Sequence, residues 1–480
     1  MKRMTTLLLL FALLLASCGN TQTSETQPAA DTDPVQTETE TINPLDTLPE
    51  ADYAGAKYKM LGDTSASWWM ISLDSEESTG EIVNDTVYER NLFVETRYNV
   101  AVTSENTDSA AGTLQKAVAA GSDEYAVMWE LLNRTLTPAQ SGQLRNLNEI
   151  TTMDMSGQGW DINSVDALSI NGKLFFACND INIHTIEGCS AMFFSQKQVN
   201  DNALDNPYEL VRENKWTLDV MWDMMKTVSS DANGNGTRDA GDTFGLTTGV
   251  GTYMFMLNGA DGQLVIREEQ NGEDTFLMNL ASEKVINLTE KISTILTDKQ
   301  TTVIVNDDAW GNDSFHNDEV LFKIMFIGDL SGMREKMEGD FGVLPLPMMD
   351  EQQEFYTCTV ESTSHCMSIP VTAADTDRIG VITEALALYS DLHLIDAYYN
   401  TTLKGKIARD EDTTEMLDIL VNNRTFEYSI LYQTWGVWPA YLPHVQKNGA
   451  EGLASLAESI QKKSDTAVAA TINEYAKLEG

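Results

Sequence analysis

Asp231, Asn233, Asn235, Thr237, Asp239 and Asp242 fall on positions 1, 3, 5, 7, 9 and 12 of a twelve-residue loop, with Gly236 at the sixth. Oxygen donors at that spacing wrap a hard cation, and glycine permits the sharp turn between them. Thr237 would ligate through its backbone carbonyl. The last position is Asp rather than Glu, a shorter arm for two-oxygen ligation. The residues that follow, Thr243-Phe244-Gly245-Leu246, read as the start of a strand, so the loop stands alone and is not one of a sensor pair. A structural Ca2+ site is the expectation; a polar Asx-rich turn is the alternative.

Catalytic signatures are sparse. The five histidines (His184, His316, His365, His393 and His444) show no HExxH or other metal or triad spacing. No Gly-x-Ser-x-Gly elbow and no P-loop occurs. Glycoside hydrolysis needs only two carboxyl groups across a cleft, and among 73 acidic residues such pairs can always be proposed.

Lys2 and Arg3, an apolar run from Leu7 to Ala16 and small residues before Cys18 make a secretory leader. The run is shorter than the roughly 20 residues a membrane-spanning helix needs. Leu15-Ala16-Ser17-Cys18 resembles a bacterial lipobox, which assigns Cys18 as the lipidated residue. Residues 1–17 are then the leader. Residues 18–50, rich in Thr, Glu, Asp, Gln and Pro and without Lys or Arg, read as a disordered tether. The expected location is the outer face of the cytoplasmic membrane, reached through the lipid alone.

The chain carries 31 basic against 73 acidic residues, a formal charge of −42, and loses two bases with the leader. Such a surface repels nucleic acid and anionic lipid headgroups. Beyond Cys18, the remaining cysteines could pair locally as Cys178 with Cys189 and Cys358 with Cys366, or remain free and buried. No Cys-x-x-Cys spacing points to a metal.

The elements that position these residues alternate short apolar runs with helical periodicity, an α/β pattern. Lys57–Leu61, Tyr125–Met128 and Lys173–Ala177 read as strands. Residues 80–100, 378–390 and 413–421 read as helices. Thr217–Val228 is the clearest helix, with Thr217 as its cap and Val220, Met221, Met224, Met225 and Val228 as its apolar stripe. More than 400 residues follow the tether, enough for two lobes.

Several stretches, in order, resemble the extracellular solute-binding proteins of carbohydrate ABC importers. They are Gly80-Glu81-Ile82-Val83-Asn84-Asp85 through Glu89-Arg90-Asn91, Gly172-Lys173-Leu174-Phe175-Phe176, Pro207-Tyr208 with Lys215-Trp216-Thr217, Asp340 to Pro347 with Gln353 and Tyr356, and Leu403-Lys404-Gly405-Lys406 with Arg409-Asp410. The resemblance implies a type II periplasmic-binding-protein fold, two α/β lobes hinged about crossover strands. Lobe 1 would take 51–172 plus about 345–400, and lobe 2 about 173–344 plus 401–480. It also implies a carbohydrate ligand held between the lobes, delivery to ABC permease transmembrane subunits, and no catalysis. A secreted glycoside hydrolase, and a binding subunit for a non-sugar solute or a sensor, are the alternatives.

Sugars present C–H faces to aromatic rings and hydroxyls to carboxylates and amides. The candidates, placed after strands or in late segments where related receptors carry a stacking ring, are Trp68, Trp69, Trp129, Glu130, Asn179, Asp180, Trp435 and Trp438. Trp160-Asp161 and Trp310 are weaker. Trp216 and Trp222, on or beside the capped helix, are expected in the core.

Overall fold

The computed structural model describes residues 43–66, 73–249, 251–305, 311, 313–407 and 411–478. Cys18, Trp68, Trp69, Trp310, Arg409 and Asp410 lie outside them. Among the described residues no helix is long and apolar enough to cross a membrane.

In the strand β1 (Ala56–Asp63), Tyr58 and Met60 point inward while Lys59 reaches Glu105 and Glu124 at the surface. β1 pairs in parallel with β2 (Val100–Thr107) and with β3 (Val127–Leu131). All five residues of β3 are buried, as befits an interior strand. Between β1 and β2 runs α1 (Ile82–Tyr98), started by the Glu81 carboxylate on the Asn84 amide and stopped by Asn99 in the left-handed conformation. Its buried face, Val87, Arg90, Asn91, Val94 and Tyr98, recurs at three- and four-residue steps.

The second sheet is drawn from later in the chain. Its order is β10 (Phe341–Leu344), β4 (Ser190–Ser195), β9 (Val320–Phe326), β5 (Phe244–Thr248) and β8 (Thr302–Ile304). β5, β8 and β9 are parallel, while β4 opposes both β9 and β10. The helix Leu218–Val228 packs on β5, with the Thr217 hydroxyl on the Val220 amide and Met221, Met224, Met225 and Val228 buried, as its periodicity predicts. A separate hairpin, β6 (Val265–Gln270) with β7 (Glu273–Met278), turns on Asn271-Gly272. Both turn residues have positive φ, +58° and +83°, so the turn suits Asn-Gly.

Three passages connect the sheets. In the first, residues 174–182, Ala177 exchanges backbone hydrogen bonds with Met367 and the chain enters the one-turn helix His184–Glu187. Lys173–Ala177, expected as a strand, forms only isolated bridges there, because it passes between sheets instead of joining one. The second leaves β10, pairs β11 (Cys358–Thr359) with β13 (Arg424–Thr425), bridges Val360 to Cys189 and returns as β12 (His365–Ser368) beside β3. In the third, the helix Thr376–Tyr389 packs on α1 and continues through π-helical turns, Ser390–Leu394 and Asp396–Ile407. Their residues Leu394, Tyr398, Tyr399 and Leu403 join a hydrophobic cluster with Phe193, Val343 and Leu417.

Two expectations are corrected, and one left open is decided. Residues 44–50, assigned to the tether, are folded: Leu45 and Leu48 are buried and Arg97 Nη2 donates to the Leu48 carbonyl at 2.7 Å. Two leucines three residues apart suffice to anchor this stretch. The last helix, Leu453–Lys477, expected in the second lobe, lies on α3 (Leu132–Gln140) beside the first sheet, where Gln140 Nε2 donates to Thr471 Oγ1 at 2.7 Å. Finally, Cys178, Cys189, Cys358 and Cys366 are all free and buried. Cys178 faces the His365 carbonyl and Cys189 that of Thr185, so neither local pair is formed.

Candidate functional site

The carboxyl ends of β1 and β3 in the first sheet and β9 in the second meet at one polar seam. β1 ends at Asp63, whose buried carboxylate accepts from the Ser65 amide at 2.8 Å, from the Ser65 hydroxyl, and from the Ala110 amide at 3.2 Å. β3 ends beside it at Glu130, which accepts from Ala111 N at 2.7 Å and Leu131 N at 2.9 Å. Ala110 and Ala111 open α2 (Ala110–Ala119), whose N-cap residue Ser109 offers no side-chain bond. Asp63 and Glu130 therefore cap α2 from neighbouring strands, at the end where the helix dipole favours negative charge. Burial pushes the Glu130 carboxyl up, those two amides pull it back, and the charge of Asp63 raises it further.

Across the seam, β9 runs out at Phe326, and the Ile327 amide bonds the Cys189 carbonyl. The helix His184–Glu187 stands there with its side chains turned into the junction. His184 Nδ1 lies 2.5 Å from Nδ1 of His365, the first residue of β12, and His365 Nε2 lies 3.0 Å from the carbonyl of Asp63. Burial, with His184 adding, depresses His365 to about 2. Glu187 Oε2 stands 3.7 Å from His184 Nε2, and burial pushes its carboxyl to about 8, partly offset by a hydrogen bond with Tyr398. The pair His184 and His365 has no signature in the sequence, since 181 positions separate them.

A second charged group sits where the first and third passages meet. Arg424 pairs with Asp161 at 3.1 Å, and Asp161 caps the helix Ile162–Leu168 through the amides of Asn163 and Ser164. Burial raises Asp180 to about 7 against the pull of Arg424, with Asp391 and Asp161 adding to the rise.

The candidates selected from sequence separate accordingly. Trp129 is wholly buried in β3, between Gly62 and Met367, and serves the core. Glu130 reaches the seam with both oxygens committed to amides. Asn179 is buried and shapes the first passage, with Oδ1 on the Ile181 amide at 3.2 Å. Asp180 lies near Asp391. Trp435 is also a core residue: it stacks on Tyr432 at 4.3 Å and 7°, meets Phe276 at 4.9 Å, and donates Nε1 to Thr471 Oγ1 at 2.9 Å. With its ring packed and its N–H bonded, it offers nothing to a solute. Trp438, half-buried on the helix Val437–Asn448, meets Tyr441. Trp216 is buried with Nε1 on the Pro345 carbonyl, and Trp222 is partly buried against the core, both as expected. Trp160 donates Nε1 to Glu384 at 2.9 Å.

The loop from Asp231 to Asp242 is internally ordered and mostly exposed, with Asp242 buried. Asp231 accepts from the amides of Gly234, Asn235 and Gly236, and Asn235 Oδ1 from that of Thr237. The Asn233 and Asn235 amide groups donate to Asp239. Asp242 accepts from Ala232 N and Asp239 N and lies 3.4 Å from Arg238. Among the described residues no group of three or more His, Cys, Asp or Glu is arranged to hold a metal. The oxygen types fit a hard cation, while Arg238 competes for the last carboxylate.

No protein-family model matches the chain, and no curated protein matches it. Solved structures do. UspC of Mycobacterium tuberculosis superposes with a TM-score of 0.56 at 13% identity, over 86% of this chain and 100% of that one. UgpB from the same organism, in complex with glycerophosphocholine, gives 0.55 at 13%, over 87% and 99%. The maltose/maltodextrin-binding domain MalE of Bdellovibrio bacteriovorus, bound to maltotriose, gives 0.53 at 14%, over 87% and 100%. The fold is that of the two-lobed periplasmic binding proteins. At such identities the likeness is one of fold, and residues 174–182, 345–365 and 390–403 are the three crossovers between its two sheets.

Proposed function

We propose that this chain is an extracellular solute receptor that holds a carbohydrate between its lobes, delivers it to the transmembrane subunits of an ABC permease and catalyses nothing. The observation that carries this reading is the convergence of strand carboxyl ends from both sheets on one junction crossed by three passages. Open α/β sheets take ligands at that edge, and two such edges joined by a hinge can close on a solute. The lipobox-like Leu15-Ala16-Ser17-Cys18 supports anchoring through Cys18, and the Asp231–Asp242 loop supports a fold-stabilising Ca2+. MalE, with maltotriose bound, supports a sugar; UgpB, with glycerophosphocholine bound, favours keeping a phosphodiester as the second reading.

Calorimetric titration of the mature chain against a panel of oligosaccharides and glycerophosphocholine, with product analysis, tests the proposal. Binding of a sugar recovered intact supports it. Cleavage of the sugar overturns the receptor reading, and binding of the phosphodiester alone overturns the sugar.

A further inference from the structure

Arg90 is an unusual residue to find inside α1: it is wholly buried, and burial lowers its pKa only to about 10, so it remains a cation. Its four hydrogen-bond partners are neutral. Nη1 donates to the Ile181 carbonyl at 2.9 Å and to Ser390 Oγ at 3.3 Å, Nη2 to the Leu73 carbonyl at 2.8 Å, and Nε to Asn91 Oδ1 at 3.0 Å. Asp74 supplies the largest opposing charge. Burying a guanidinium costs far more than burying a methionine of similar length. What the cation adds is a rigid fork whose donors reach several acceptors at once.

Those acceptors belong to separate passages. Ile181 lies in the first crossover and Ser390 opens the third. Their neighbours Asp180 and Asp391 lie close enough for the Asp391 charge to raise the Asp180 carboxyl, so the two crossovers also approach each other there. The second crossover passes on the other side of the junction, through Glu361 N on the Gly188 carbonyl. In a hinged molecule the relative angle of the crossovers sets the relative angle of the lobes.

We propose that Arg90 is a positioning residue of the hinge, fixing the first and third crossovers against one another and thereby setting how far the lobes stand apart. Only its consequence for affinity rests on the receptor reading above. Arg90 touches no strand end of the seam, and its effect on a solute is through the population of the closed form.

The test uses the full mature chain with Cys18→Ser and spin labels at Gln115→Cys in α2 and Lys299→Cys beside β8, both exposed, while Cys178, Cys189, Cys358 and Cys366 are buried. Pulsed electron paramagnetic resonance reads the interlobe distance without any solute. Arg90→Met is expected to shift or broaden the distance distribution, Arg90→Lys to restore it in part, and Ser390→Ala to give a smaller change of the same sense. Leu288→Ala, a packing loss in the second lobe, is expected to lower the melting temperature and leave the distribution as in the parent. A folded Arg90→Met protein with the parent's distribution, or an equal shift in Leu288→Ala, overturns the proposal. Should Arg90→Met not fold, the Lys and Ser390 variants decide it alone: a parent-like distribution in both overturns it. With a solute in hand, Arg90→Met is expected to change affinity about tenfold. A parent that binds no solute refutes the receptor reading and leaves the distance result standing.

Discussion

His184 and His365 meet Nδ1 to Nδ1 at 2.5 Å, and that contact assigns both tautomers. The Asp63 carbonyl can only accept, so His365 carries its hydrogen on Nε2 and presents a bare Nδ1. His184 must then donate from Nδ1. Protonating His365 would set two N–H groups against each other, which agrees with its depression to about 2. Nitrogen-15 spectra at pH 6 are expected to show His365 as a neutral imidazole with its hydrogen on Nε2. His365→Ala is expected to cost about 1–3 kcal/mol, the penalty for stranding a buried donor and acceptor. An imidazolium signal from His365 at pH 6 would refute the assignment.

Acid is expected to stabilise the protein over a wide range. Burial raises Asp180 to about 7, Glu187 to about 8, and Glu384 and Glu427 to about 7. Each binds its proton more tightly folded than unfolded, so stability is greatest below the unfolded values and is lost as pH rises through the folded ones. His365 and His316, both depressed by burial, act oppositely below their ordinary 6.5 but are outnumbered by these four carboxyl groups. The melting temperature should therefore rise from pH 8 to pH 5, and Asp180→Asn should flatten the slope. A melting temperature that rises from pH 5 to pH 8 contradicts this.

Trp435→Ala is expected to destabilise by about 3–5 kcal/mol, as an emptied aromatic site does. Trp435→Phe should keep solute affinity, because the ring is stacked on Tyr432 and bonded to Thr471. Loss of affinity without loss of stability in Trp435→Phe would return this residue to the ligand.

Glu130→Gln should lower stability by about 1 kcal/mol, the scale of a lost helix cap, since it bonds the first amides of α2. Affinity for any solute found by the panel should change less than twofold. An affinity loss at unchanged melting temperature would place Glu130 on the ligand instead.

Calcium at a hundredfold excess over its dissociation constant should stabilise by about 2.7 kcal/mol if the Asp231–Asp242 loop binds it. EDTA should reverse the effect and Asp231→Ala should abolish it. Identical melting curves in calcium and EDTA would leave the loop as a turn held by its own amides.

What the sequence determined by itself is local. The periodicity of Thr217–Val228 and its Thr217 cap, the core faces of Trp216 and Trp222, the strand at Lys57–Leu61 and the α/β alternation were all legible, because each depends on residues a few positions apart. The chain order of short matches was enough for the two-lobed fold. Tertiary structure decided which side chains meet. Trp129 and Trp435 carried every local mark of a solute contact, a strand end or a late aromatic, yet packing placed them inside. Asp63 was passed over, yet it caps α2 with Glu130 because β1 and β3 are neighbours, a pairing that no spacing encodes. Leu45 and Leu48 were too few to stand out in a polar segment, and only the groove they fill gives them meaning. Arg90 lay in a helical stretch that assigned it no role of its own; three distant segments, brought together by folding, made it the centre of a hinge. Side-chain periodicity is a short-range property, whereas the choice of partner across the junction is settled by the simultaneous packing of segments hundreds of residues apart.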